Sequence, residues 1–358
     1  MEHKLTRRHF FHLSAGALMT PGLMKANPLE APPAESKPFP GPNSAVSLAQ
    51  GEERRKNVCE SLLLIEERIL PKLRQKKYVI IKPNNVSTVN QLASTHADAL
   101  HGILDFLGPR FKGPVIIAES AAGHTPDGYD RFGYSKLCAE RKSQQVSLLD
   151  LNEEGKYETL PILNGDLHPI QVRLAARLLD EDAFIINAGV MKTHNVVVAT
   201  LSIKNMTLGA PLHSRRGETP RWNDKRLYHG GVRQTHYDIF LTAQKMQPFW
   251  GATIIDGFEG MQGNGPASGY PVPSRIAIAS TDFVAADRVG IEAMGIDPGW
   301  VAYLNYCGQW GLGQHDLAKI EIRGAQLASV IKKYELHSDI ERQLQWRGPL
   351  TELPPKLG

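Results

Sequence analysis

The chain has 358 residues, 42% of them hydrophobic and 22% charged, with a net charge of +4 and a pI near 8.8. That length and composition are those of an ordinary globular protein able to bury a real core. Lys4, Arg7, Arg8 and Lys25 stand against Glu2 in residues 1–26 and account for +3 of the net charge; the remainder is nearly neutral, which excludes a broad basic surface for nucleic acid.

Taken in chain order, the paired Arg7 and Arg8 precede a modestly apolar segment from Phe10 to Met24. At about 15 residues it is too short for an ordinary membrane span and suits a signal core. Residues 1–26 therefore read as a twin-arginine export signal, with the twin-arginine translocase as partner and a periplasmic or otherwise exported destination. Ala26 could precede the cut, but Met24 is large for its place, so an uncleaved anchor stays open. That route carries folded proteins, which suits a cofactor or partner taken up in the cytoplasm. Residues 27–44 form a Pro-rich linker.

Val58, Leu62, Ile65, Ile69 and Leu73 recur at helical spacing, and Pro71 should kink or end that helix. YVIIKPNN is a β-branched strand stopped by Pro83, HADALHGILDFLG a helix ending at Gly108, and PVIIAES and VSLLDL two further strands. IQVRLAARLLD reads as helical and AFIINAGV as a strand, with VVVATLSI a second apolar pass. Residues 212–235 are a long polar segment, as expected of a lid, a binding loop or disorder. Helix HYDIFLTAQKMQ, strands ATIIDG and RIAIAS, helix FVAADRVGIEAMG and strand KIEIRG follow. The alternation predicts an α/β fold, a mostly parallel or mixed sheet covered by helices on both faces, as a single domain over residues 45–358.

Polar residues gather where strands end. YVIIK delivers Lys82, Asn84 and Asn85; VIIAE delivers Glu119 and Ser120. FIINAGV delivers Lys192, Thr193 and His194, ATIID delivers Asp256, and AIAST delivers Asp282. In open α/β sheets ligands bind outside the strand carboxyl ends, so these five ends predict a site there. Glu119 and Asp282 could equally cap helices, and LSIKNM could be a core strand carrying one solvated lysine at Lys204. The run DGFEGMQGNGP reads as a glycine-rich ligand loop, with Gly263, Asn264 and Gly265 at its turn. It is neither a Rossmann nor a Walker loop, and no HExxH or GxSxG is present.

Cys59, Cys138 and Cys307 are too few and too scattered for a self-contained iron–sulfur cluster. One disulfide or buried inert thiols both remain open.

The blocks VIIKPNN, IAESA, KTH…TLSIKNMTLGAP, IIDGFEGMQGNGP and ASTDFVAADRVGIEAMGIDP, in this order, resemble the bacterial and archaeal proteins of domain-of-unknown-function family 362. The resemblance spans roughly residues 78–300. It implies that Lys82, Asn84, Lys192, His194, Lys204, Asn205, Asp256 and the Gly263–Asn264–Gly265 turn share one site. It also implies a histidine before the following helix, His236 or, alternatively, His229. Some relatives carry ferredoxin-type cysteine runs, which this chain lacks.

Three functions are compatible with these residues. In the first, an exported enzyme binds a small carboxylate or phosphate. Lys82, Lys192, His194, Lys204 and Asp256 form its catalytic set, while Asn84, Asn85, Glu119, Asn205, His236, Gly263, Asn264 and Gly265 bind substrate. Neighbouring ammonium groups would neutralise one lysine into a base or nucleophile, and a divalent metal on His194, His236 and Asp256 is feasible. The second is an anion-binding protein without chemistry. The third is an accessory subunit of a redox complex.

Overall fold

The structure, a computed structural model, describes residues 42–348; the expected signal and most of the linker lie outside them. Strand β1 (Ser44–Gln50) leads into helices α1 (Arg54–Leu63) and α2 (Glu66–Leu73), then β2 (Tyr78–Lys82), α3 (Ala97–Leu107) and β3 (Val115–Glu119). Helices α4 (Thr125–Arg131) and α5 (Tyr134–Glu140), strand β4 (Val146–Asp150) and the short α6 (Leu151–Glu154) precede a separate hairpin of β5 (Tyr157–Leu163) and β6 (Pro169–Ala175). The long β7 (Ala183–Thr193), the two-residue β8 (Ala199–Thr200), α7 (Ser202–Gly209), α8 (Val232–Met246) and β9 (Trp250–Gln262) form the middle of the molecule. β10 (Tyr270–Val272), β11 (Ile276–Ser280), α9 (Phe283–Ala293), α10 (Ala302–Gln309) and β12 (Ile320–Gly324) complete the main elements.

The sheet runs β12-β1-β11-β9-β7-β2-β3-β4, with β10 on β9 and β8 on β7. Strands β9, β7, β2, β3 and β4 are mutually parallel, so their carboxyl ends share one edge. β11 runs antiparallel to β9 and β1 antiparallel to β11. The sheet is mixed, as the sequence predicted.

Side-chain alternation along each strand fills two cores. Ile80, Ile185 and Ile278 join one, with Ile203, Ile239 and Val289 from α7, α8 and α9. Val79, Ile81, Phe184 and Ile186 join the other, with Val58, Leu100 and Leu137 from α1, α3 and α5. Helices thus cover both faces, and this explains why β2 and β7 are apolar at consecutive positions.

Several local expectations need correction. The helical break predicted at Pro71 falls at Leu64–Ile65, and Pro71 lies inside α2. IQVRLAARLLD is strand β6 followed by a single 3-10 turn, because Val172 and Leu174 point inward while Gln171 and Arg173 do not, a period of two. VVVATLSI is not a second long strand. β8 stops at Thr200, and α7 begins where the Asp287 carboxylate of α9 accepts from the Ser202 and Ile203 N–H groups at 2.8 and 3.0 Å. A buried carboxylate at a helix start satisfies orphan donors that the local sequence leaves open. Asp282 sits at the opposite edge of the sheet from the other strand ends, since β11 is antiparallel. It caps α9, accepting from Val284 and Ala285 N–H at 3.0 Å each. DGFEGM is not a loop, because β9 continues straight through it. The three cysteines are free, and Cys307 is buried.

Candidate functional site

Lys82 ends β2 on the same face as Ile80, the face that α7 covers. Its ammonium donates to both oxygens of Glu119, at 3.0 and 3.1 Å, and to Pro83 O at 3.0 Å. Glu119, at the end of the adjacent parallel strand, also accepts from Ser120 N at 2.8 Å and Asn85 N at 3.2 Å. Three donors therefore make four hydrogen bonds to this carboxylate, and Glu119 is not a helix cap. Burial pulls the Lys82 pKa down from its ordinary value while Glu119 holds it up.

A chain of amides ties this pair to α7. Asn187 is level with Lys82 across the β2–β7 register. Asn205 donates to Asn187 Oδ1 at 2.6 Å and accepts from Asn84 Nδ2 at 2.7 Å, and Asn187 donates to Ser202 O at 2.8 Å. Each amide is oriented by the next, so Asn205 is held rigidly beside Lys82.

Lys192 belongs to the far side of β7, one residue beyond Met191 of the α7-side core. It donates to Asn84 Oδ1 at 2.7 Å and Ala93 O at 2.6 Å, with no carboxylate partner among the described residues. Burial, then the Lys204 charge, pushes its pKa well down. With its two acceptors fixed, Lys192 orients the Asn84 amide toward Asn205.

Lys204 and Leu208, with Asn205 and Gly209, form two i,i+4 pairs on one face of α7 and line a cavity of about 40 Å³. Asn84, Asn85, Val86, Glu119, Ser120 and Ala122 form the opposite wall. Lys204 is 6% exposed, and among the described residues nothing hydrogen-bonds or ion-pairs with its ammonium. Its pKa is pushed down to about 7, by burial first and then by Lys82. Asn85 also lines the cavity, but its amide turns toward Tyr134, whose hydroxyl donates to Oδ1 at 3.3 Å, and toward Gly128. Gly209 is required there, since a Cβ on it would stand 2.1 Å from Lys82 Nζ.

The sequence reading missed Lys225. Its ammonium donates to Leu208 O at 3.2 Å and Gly209 O at 3.3 Å, closing the end of α7. Burial pushes its pKa down to about 7. The polar segment that carries it is an ordered strap. Arg173 of β6 grips Asp224 through Nε and Nη2 at 2.9 and 2.8 Å and lies over the Trp222 ring. Nothing in the local run WNDKRLYH marks Lys225 as buried; only the strap's path does.

Other expected members stand apart. Asp256 points to the α1 face of β9, opposite α7, where Arg54 Nε meets it at 3.1 Å. Burial raises its pKa. His194 Nδ1 accepts from Val196 N at 3.0 Å, so its proton sits on Nε2. Burial pushes its pKa well down, leaving a neutral N–H donor rather than a base or an open metal ligand. His236 is fully buried between Tyr303 and Trp346, its pKa pushed to about 3. His229 is the nearer alternative: its Nδ1 lies 3.0 Å from Lys225 O, and the Lys204 charge is felt there. The metal set His194, His236 and Asp256 is therefore corrected. The three face different surroundings, and among the described residues no group of three His, Cys, Asp or Glu side chains comes together. Gly263 accepts from Thr193 Oγ1 at 2.8 Å and Asn264 from Ser338 N at 3.1 Å, while Gly265 lies against Thr193 O. This turn buttresses the end of β7 and brings no group to the lysine cavity.

No curated protein matches the chain. Among solved structures, the crystal structure of a protein from Thermotoga maritima, a structural-genomics target, is 11% identical with a TM-score of 0.39. The match covers 59% of this chain and spans about half, 52%, of that one. A family model described as Domain of unknown function (DUF362) matches residues 79–292, from the start of β2 to the end of α9, and so takes in Lys82, Glu119, Lys204, Asn205 and Lys225. The chain belongs to that family.

Proposed function

We propose that the cavity between the ends of β2 and β3 and helix α7 binds the acidic head of a small anionic substrate, and that Lys204 exchanges a proton with it. One observation carries this reading. Lys204 lines a buried cavity without a partner, while Glu119, the single carboxylate in the lining, is already taken by Lys82. A carboxylate or phosphate oxygen would supply the missing acceptor. The space suits a head group rather than a whole molecule, because about 40 Å³ holds only a few water-sized bodies. A lysine poised near pH 7 is suited to abstract a proton next to a carboxylate and return it, a lyase or isomerase type of step.

The test pairs calorimetry with exchange. Acetate and inorganic phosphate should bind the parent and bind Lys204→Met at least tenfold more weakly, as about 1.4 kcal/mol implies. A panel of 2-hydroxy and 2-keto acids in D₂O, followed by NMR, should include one whose Cα or Cβ proton exchanges with the parent alone. Equal anion affinity in parent and Lys204→Met would sink the reading. Binding without exchange across the panel would leave an anion-binding protein.

The folded domain is further proposed to reach the periplasm by the twin-arginine route, on the strength of Arg7, Arg8 and the apolar segment after them. Cell fractionation of Arg7→Lys/Arg8→Lys against the parent tests it; equal export would overturn it.

A further inference from the structure

A second, larger cavity of about 510 Å³ opens beside the first, and Ala122 lines both. Its walls are the turn from Ala122 to His124 with Asp127 on one side, and the strap residues His213 to Arg226 on the other. The two walls are stitched together where the cavities meet. Ser120 Oγ donates to Pro211 O at 3.1 Å, and His213 Nε2 lies 2.9 Å from Ala121 O.

Three guanidinium groups, Arg216, Arg221 and Arg226, line this second space. None has a hydrogen bond or ion pair among the described residues. The one acidic side chain in the lining, Asp127, is engaged by His124 Nδ1 at 2.8 Å. The strap that carries them is held in place by the Asp224–Arg173 pair and by Arg173 over Trp222. An anion is the chemistry that such a cluster lacks, and guanidinium forks match carboxylate and phosphate oxygens in pairs.

We infer that the substrate carries two acidic groups, one seated against Lys204 in the small cavity and the other held by Arg216, Arg221 and Arg226 in the larger one, with its body passing Ala122. This rests on the reading of the small cavity above and adds to it the substrate class. The small cavity admits only a head group, and the larger one is the size of an ordinary ligand site. A single-headed anion would leave the arginines unused.

The experiment compares affinities by calorimetry for acetate and for the dicarboxylates succinate, glutarate, adipate and pimelate. A parallel arm uses inorganic phosphate and α,ω-bisphosphates of the same chain lengths, which separates carboxylate from phosphate recognition. In the parent, affinity should peak at one chain length, where the dianion binds about 10- to 100-fold more tightly than the matching monoanion. In Arg216→Ala/Arg221→Ala/Arg226→Ala that ratio should fall to within about threefold. These side chains are exposed, and urea unfolding of the triple variant checks that the fold is intact. Lys204→Met and, separately, Lys225→Met should weaken monoanions and dianions alike. Dianion affinity independent of chain length, or a ratio unchanged in the triple variant, overturns the two-headed substrate and leaves the small cavity standing. Monoanions indifferent to both lysine variants overturn both.

Discussion

The Lys82 ammonium lies 3.0 Å from one oxygen of Glu119 and 3.1 Å from the other, and neither side chain is more than 2% exposed. The pair joins the ends of two adjacent parallel strands and, through the Asn84–Asn205–Asn187 relay, locks α7 against them. Its role is geometric: it uses up the cavity's carboxylate and leaves Lys204 free to face a ligand.

Glu119→Gln should be costly for that reason. It leaves the Lys82 charge buried without a counter-charge, and breaking a buried pair from one side costs about 3–5 kcal/mol. Urea unfolding measures this. Lys82→Met added to Glu119→Gln should recover most of the loss; a Glu119→Gln cost below about 1 kcal/mol would mean the pair is not held as ions.

Stability and anion affinity should depend on pH with opposite signs. Lys204 and Lys225 titrate near 7 in the fold and near 10.4 unfolded. Between those values the unfolded chain holds more protons, so stability rises as pH climbs from about 7 toward 10 and is lost again as pH falls back to 7. Below 7 both states keep the proton and this dependence ends. Lys204→Met should flatten the rise. An oxyanion wants the ammonium form, so its Kd should weaken above about pH 7, approaching tenfold per unit for each proton taken up. Calorimetry in buffers of different ionisation enthalpy counts those protons.

Gly209→Ala should damage the site from inside the helix. The added Cβ would lie 2.1 Å from Lys82 Nζ and 2.3 Å from its Cε, so the ammonium must leave Glu119. Overpacking of this kind costs about 1–3 kcal/mol. Lys82→Ala combined with Gly209→Ala should cost less than the sum of the two, because the clash disappears with the lysine. Additive losses in this double-mutant cycle would contradict the geometry.

Asp224→Ala should loosen the strap without touching the sheet. The carboxylate accepts from the Arg173 backbone N–H at 2.7 Å as well as from its guanidinium. Its loss should cost about 1–3 kcal/mol and make residues 212–229 the first site of limited proteolysis. Anion affinity should fall too, since Lys225 is the next residue along.

How far the site was legible depended on how local each cause is. Lys82 and Glu119 could be read because each closes an apolar β-branched strand, and parallel strands bring their carboxyl ends to one edge. Asn205 and Lys204 were expected on a second apolar strand, and both lie on helix α7. What starts α7 is Asp287, eighty-odd positions away in the chain, and no local pattern announces it. Asp256 was expected at the end of a strand, but β9 runs on to Gln262 and its carboxylate meets Arg54 on the α1 face. Lys192 does lie near the end of β7, where its side chain is taken by Asn84 and Ala93. Strands buried on both faces show no apolar alternation to tell which side a polar residue takes.

By itself the amino-acid sequence determined the α/β class, the parallel run of apolar strands and the polar residues at their ends, because hydrophobic periodicity and strand-breaking residues act within a few positions. Only the tertiary structure decided which of those polar groups share a cavity. Glu119 neutralises Lys82, Lys192 sits behind β7 bonded to Asn84 and Ala93, Asp256 faces α1, and Lys225 arrives on a strap from a run with no mark of burial. Charge compensation and burial act across the fold between residues far apart in the chain, and it is they that leave Lys204 as the lysine with room for a ligand.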